Sequence, residues 1–91
     1  MKLINLKIKP TYFLDLLRGA KTFEVRKNDR DYQVGDLITF SVVNNDGLVI
    51  KGTEGSNFNL FVIVYVLKDC PQYGLADGYA ILSLKRLISA D

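Results

Sequence analysis

The sequence predicts a small α+β domain that is mainly β, a mixed or antiparallel barrel of five to six strands with one helix after the first strand. Three observations carry this expectation. Short runs of alternating or wholly apolar residues rich in Ile, Val and Phe recur along the chain, the pattern of strands with one or both faces covered. Turn-forming clusters separate them, among them Val34-Gly35-Asp36 and Asn44-Asn45-Asp46-Gly47. Only one segment, just after the first run, repeats at helical spacing. At 91 residues the chain is read as one domain, 1–91, since domains rarely fall below about 50 residues.

Leu3 to Ile8 is the first strand, with Ile4, Leu6 and Ile8 on its core side. Pro10 suits the first turn of a helix, and Tyr12, Phe13, Leu16 and Leu17 form its buried stripe. Arg18 and Gly19 close it, a cation in the last turn and a residue that accepts the left-handed cap. Thr22 to Lys27 is the second strand. Because side chains alternate, Phe23 and Val25 share one side, expected to face the core, and Thr22, Glu24 and Arg26 share the other, expected to face outward. Asn28 to Gly35 is a loop, and Leu37 to Val43 a third strand with Ile38, Phe40 and Val42 inward. Asn44 to Gly47 is a hairpin turn, with Leu48 to Ile50 as the return strand. Lys51 to Asn57 is a polar loop. Phe58 to Leu67, apolar on both faces apart from Asn59, belongs in the middle of the sheet. A second long loop runs from Asp69 to Gly78, and Tyr79 to Leu87 is the closing strand.

Composition excludes several classes of function. Histidine is absent, which removes the commonest general base and metal ligand and any Ser-His or Cys-His dyad. No metal site and no cofactor are expected. A single cysteine, Cys70, cannot form an internal disulfide, and a lone thiol suits a reducing, cytoplasmic setting. No signal peptide is recognisable, and the longest apolar run, Leu60 to Leu67, is far shorter than the roughly 20 residues a membrane helix needs. A net charge of +2 makes the whole-molecule field a weak argument for nucleic acid. The local pattern is more telling: Lys21, Arg26, Lys27 and Arg30 lie within ten residues, interleaved with Glu24, Asp29 and Asp31.

Gly19-Ala-Lys21-Thr-Phe-Glu24-Val-Arg26 matches the GxKxxExR signature and so resembles the ASCH domains of the PUA-like superfamily. The order of elements is similar over nearly the whole chain. The run Arg26-Lys-Asn-Asp-Arg-Asp, with Val34-Gly35-Asp36, Leu67-Lys68-Asp69 and Gly78-Tyr79, looks most like short ASCH-like proteins of bacteria and their phages. The resemblance implies a PUA-like barrel with RNA or nucleotide binding in a cleft lined by Lys21, Glu24 and Arg26. Some small ASCH relatives look like hydrolases, one kind removing an acyl group from a modified cytidine and another cutting RNA.

The site residues have competing functional and structural readings. Arg26 can fork onto a phosphate or pair with Glu24. Lys21 can be catalytic, contact a ligand, or serve the helix terminus. Glu24 can act as general base, read a base edge, or partner the two cations. Lys27, Asn28 and Arg30 offer a phosphate-contacting loop or a solvated turn. Tyr32, Tyr73 and Tyr79 can stack on a base or lid the barrel ends, and Tyr79 is retained as a ligand-binding residue. Cys70 is read as inert.

The acyl-removing relatives pair their lysine with a threonine on the motif strand and a later glutamate. Here Glu24 replaces that threonine, and the later half offers only Glu54, Asp69 and Asp77. The favoured expectation is therefore an RNA- or nucleotide-binding module. A hydrolase of acylated nucleosides or RNA, with Lys21 and Glu24 catalytic, comes second. A protein-interaction domain comes third, as a monomer or a weak dimer through an apolar edge around Phe61 and Ile63.

Overall fold

The computed structural model describes residues 1–54 and 59–88. Five strands and a helix run in the order β1 (Leu3–Ile8), α1 (Pro10–Leu17), β2 (Phe23–Lys27), β3 (Leu37–Val42), β4 (Leu60–Lys68) and β5 (Tyr79–Ile88). They form one mixed sheet ordered β1-β3-β4-β5-β2, parallel between β1 and β3 and antiparallel elsewhere. The sheet curls into a half-barrel, so the fold is α+β and mainly β. Leu48 to Ile50 does not become a strand; it makes a single bridge, Val43 to Val49, beyond the Asn44–Gly47 turn. Of the expected loop and strand around residue 57, positions 55–58, including Phe58, lie outside the described residues.

The core lies on the inner face. Ile4, Leu6, Ile8, Ile38, Phe40, Phe61, Ile63, Leu82 and Leu84 are buried there, each on the face that alternation assigns to it. Phe40 is the hub, edge-on to both Phe13 and Phe61 at 6.1 and 5.5 Å between centroids. The longest apolar run takes the central position in the sheet, but it is not covered on both sides, since Val64 and Tyr65 are exposed. Phe61 and Ile63 are core residues, so the apolar edge expected there as a dimer contact does not exist. No helix among the described residues is long and apolar enough to cross a membrane.

The end of the helix fixes where the next strand begins. Pro10 sits at the first turn of α1, where a missing N–H costs nothing. Gly19 turns the chain at φ +75°, a conformation that side chains with a Cβ resist. This lets the N–H of Lys21 donate to the Asp15 carbonyl at 3.0 Å, while the Arg86 guanidinium donates to the Leu17 carbonyl at 3.0 Å. Two of the helix's orphan carbonyls are thereby satisfied. Leu16 faces the core and Tyr12, contrary to the stripe expected from spacing, stands half-exposed.

The Val34-Gly35-Asp36 turn is pinned by a buried carboxylate. Asp36 accepts the N–H groups of Lys2 and Gln33, both at 2.9 Å, and pairs with the Lys2 ammonium at 3.5 Å. Burial pushes its carboxyl up, but those N–H groups and the Lys2 charge pull harder and hold it below its ordinary value near 3.8. A depressed carboxyl contributes stability above its unfolded value, lost as the pH falls through the folded one. Asp36→Ala is expected to cost about 2–3 kcal/mol at neutral pH, because two buried N–H groups lose their acceptor. It should also flatten the fall in stability below about pH 4. Urea denaturation as a function of pH checks both, and equal midpoints for wild type and variant would refute the assignment.

A candidate nucleotide-binding seam between two strand edges

The half-barrel does not close: β1 and β2 are its two edges. The Lys2 and Ile8 carbonyls accept bonds from Leu37 and Val43. Even-numbered main-chain groups of β1 thus turn toward β3, and the odd ones, including Lys7, turn to the free edge. On β2, Thr22 and Asn28 bond to Leu84 and Gly78. The same alternation leaves the main-chain groups of Phe23, Val25 and Lys27 on the open side. Arg26 spans the seam, donating from Nη2 to the Lys7 carbonyl at 2.6 Å.

The side chains of β2 face opposite to expectation. Glu24 pairs across from Leu82 and Arg26 from Ala80, and both of those partners are fully buried. Glu24 and Arg26 therefore point to the inner face, and Glu24 is only 5% exposed. Phe23 and Val25 point out, 44% and 50% exposed. The physical reason is mutual satisfaction. Glu24 Oε1 accepts from Arg26 Nη2 at 2.9 Å and Oε2 accepts from Lys21 Nζ, and buried charges persist where partners of opposite sign meet them.

Lys21, Glu24 and Arg26 thus converge, as expected from the motif. They border a cavity of about 680 Å³, within the range of small-molecule sites. Ile8 and Tyr12 wall it on the side of β1 and α1, and Phe23, Val25, Lys27 and Tyr79 on the side of β2 and β5. Lys7 and Lys9 complete the lining. The Lys21 ammonium lies 4.9 Å from the Tyr12 ring centroid and 5.5 Å from that of Phe23, within reach of cation–π attraction. Since Lys21 projects from the stretch between helix and strand, the Gly19 turn and the Asp15 bond decide where its charge arrives.

Other expected site residues are distributed differently. Tyr79 and Lys27 line this cavity, whereas Arg30 does not; it borders a second cavity on the far side of Arg26 together with Lys27. Asn28 is structural: its N–H donates to the Gly78 carbonyl at 2.7 Å, and its Oδ1 accepts the Tyr32 N–H at 3.3 Å. Tyr32 is buried rather than available for stacking, and Tyr73 is exposed on the loop after β4, away from both cavities. Cys70 is buried. Sequence reasoning missed Tyr12, Lys7 and the outward walls Phe23 and Val25. An apolar pair flanking a carboxylate on a short strand is the signal that marks those walls, but it reads equally as a core face.

A family model described as a domain of unknown function (DUF3850) matches residues 3–84. No curated protein matches the chain.

Glu24 is expected to hold the site together as well as to define it. Glu24→Ala leaves Lys21 and Arg26 close together with no anion between them, and should lower stability by about 3 kcal/mol. Glu24→Gln, which keeps an acceptor for one cation, should cost less. Urea midpoints compare the two, and an alanine variant as stable as wild type would contradict the pairing.

Proposed function

We propose that this chain, which belongs to the DUF3850 family, is an RNA- or nucleotide-binding module that receives a base in the seam between β1 and β2. The observation that carries the reading is the first cavity. Its floor is a carboxylate held between two cations, its walls are aromatic and aliphatic, and main-chain donors and acceptors of a free strand edge line its side. A planar heterocycle bordered by hydrogen-bonding groups matches all three features. Its faces take apolar and aromatic contacts, as unstacked bases do on Tyr and Phe. Its edge takes donors and acceptors, and a carboxylate can accept from an exocyclic amine.

The resemblance of Gly19 to Arg26 to the ASCH signature supports the same reading, with Lys21, Glu24 and Arg26 as the ligand-facing residues. A cytoplasmic setting accords with RNA as partner and with a thiol, Cys70, that needs no disulfide. One observation favours the hydrolytic alternative: the Lys21 ammonium is mostly buried and bonded to Glu24, a pair suited to passing a proton. Against it, none of Glu54, Asp69 and Asp77 lines either cavity at this seam, so the second acid that the acyl-removing relatives use has no counterpart here among the described residues. Binding is therefore the function the geometry supports best.

Fluorescence anisotropy with a short single-stranded RNA tests the reading. Affinity should fall as salt rises, with a log–log slope of about −1 to −2 for two or three phosphates. Tyr12→Ala should weaken binding roughly 10- to 100-fold if its ring stacks on a base, and Arg26→Ala should weaken it about as much. Salt-independent affinity, or no binding, would refute the proposal. Release of product from an acylated nucleoside or RNA by wild type, and not by a folded Lys21→Ala variant, would replace it with the hydrolase.

A further inference from the structure

Beyond Arg26 the seam continues into a second cavity of about 470 Å³, and its character differs from the first. Lys7, Arg26, Lys27 and Arg30 border it against a single carboxylate, Asp29. Glu24 pairs with Arg26 from the side of the first cavity, which leaves Lys7, Lys27 and Arg30 facing Asp29 in the second. This surplus of positive charge continues that of the first cavity, where Lys7, Lys9, Lys21, Arg26 and Lys27 face Glu24, and a low-dielectric wall on one side strengthens it.

Tyr32 gives a second, independent indication. It is only 2% exposed, it lines this cavity, and its hydroxyl has no hydrogen-bond partner among the described residues; only its main-chain N–H is bonded, to Asn28. Burial raises the phenol above its ordinary value, with Arg26, Asp29, Arg30 and Glu24 as the charges it senses, so the hydroxyl keeps its proton and lies among the charges that border the cavity. The hydroxyl is thus a donor at the cavity wall, not committed to an acceptor of the described protein and open to one that a ligand brings. The surrounding loop is already fixed. The Lys2 ammonium donates to the carbonyls of Arg30 and Asp31 at 3.0 and 2.6 Å, and Asp31 holds a left-handed turn at φ +47°.

We infer that the second cavity is a phosphate site, bound by Arg26, Arg30 and the Tyr32 hydroxyl with Lys7 and Lys27 at its rim. Arg26 lines both cavities, so a base on one side of it and a phosphate on the other belong to one nucleotide. The ligand class is then a nucleoside monophosphate or one step of single-stranded RNA, not a free nucleoside. The base half of this inference rests on the function proposed above; the phosphate half rests on the second cavity alone.

Calorimetric titration with inorganic phosphate, the four ribonucleosides, and their 3′- and 5′-monophosphates tests it. At least one monophosphate should bind ten-fold or more tightly than its nucleoside, and inorganic phosphate should compete with it. Tyr32→Phe, which keeps the buried ring, and Arg30→Ala, at an exposed position, should each bring that ratio toward one, with urea midpoints confirming that both variants fold. Nucleosides that bind as tightly as their monophosphates would overturn the phosphate site and leave the base cavity standing. Phosphate binding with no gain from an attached nucleoside would keep the site and overturn the base reading. Failure of every probe to bind would overturn both.

Discussion

The arrangement of this seam depends on one buried carboxylate between two cations. Glu24 takes Lys21 on one oxygen and Arg26 on the other, and that satisfaction is what lets a polar row occupy the inner side of β2. Taking an ion out of water costs several kcal/mol even after relaxation, so an unpartnered Glu24 would favour the opposite facing. Once the triad is made, the facing of β2 is set by alternation. Phe23 and Val25 are turned outward to become cavity walls, and Arg26 is aimed across the gap at β1.

That gap is the second feature from which function would come. A half-barrel leaves two unpaired edges, and proteins commonly cover or charge such edges because they invite pairing with other chains. Here Arg26 occupies the space between them, with one nitrogen serving both Glu24 and the Lys7 carbonyl. It separates a chamber with aromatic and aliphatic walls from one lined mainly by polar and charged side chains. The two chambers both border the guanidinium but differ in chemistry, because Ile8, Tyr12, Phe23 and Val25 line only the first.

Much of the scaffold was legible from residue order. Alternation in Ile4, Leu6 and Ile8, and in Ile38, Phe40 and Val42, named the buried faces, and the density of apolar residues from Leu60 onward placed that strand centrally. The convergence of Lys21, Glu24 and Arg26 came from spacing and resemblance. The facing of β2 did not, since period two says which residues share a side but not which side is covered, and the rule that apolar residues go inside fails where charges satisfy one another. Tyr32 was illegible for a related reason. A tyrosine in a charged loop reads as a base-stacking ring or as a lid on a barrel end, and only the return of the Asn28–Asp36 segment against the start of β1 decides that it is buried. The strand expected at Leu48–Ile50 shows the limit of turn chemistry, which fixes a reversal without guaranteeing a ladder.

The sheet order has a consequence for how the molecule is assembled during synthesis. The motif strand, early in the chain, forms a main-chain ladder with β5 and with no other strand among the described residues, so more than half of the sequence must emerge before Glu24 and Arg26 acquire their orientation. Contacts so distant along the chain form slowly, because a long loop must close first. Fragments ending before residue 79 lack the template for this strand altogether. The inward facing of Glu24 and Arg26 is thereby tied to a strand that follows them by more than fifty residues.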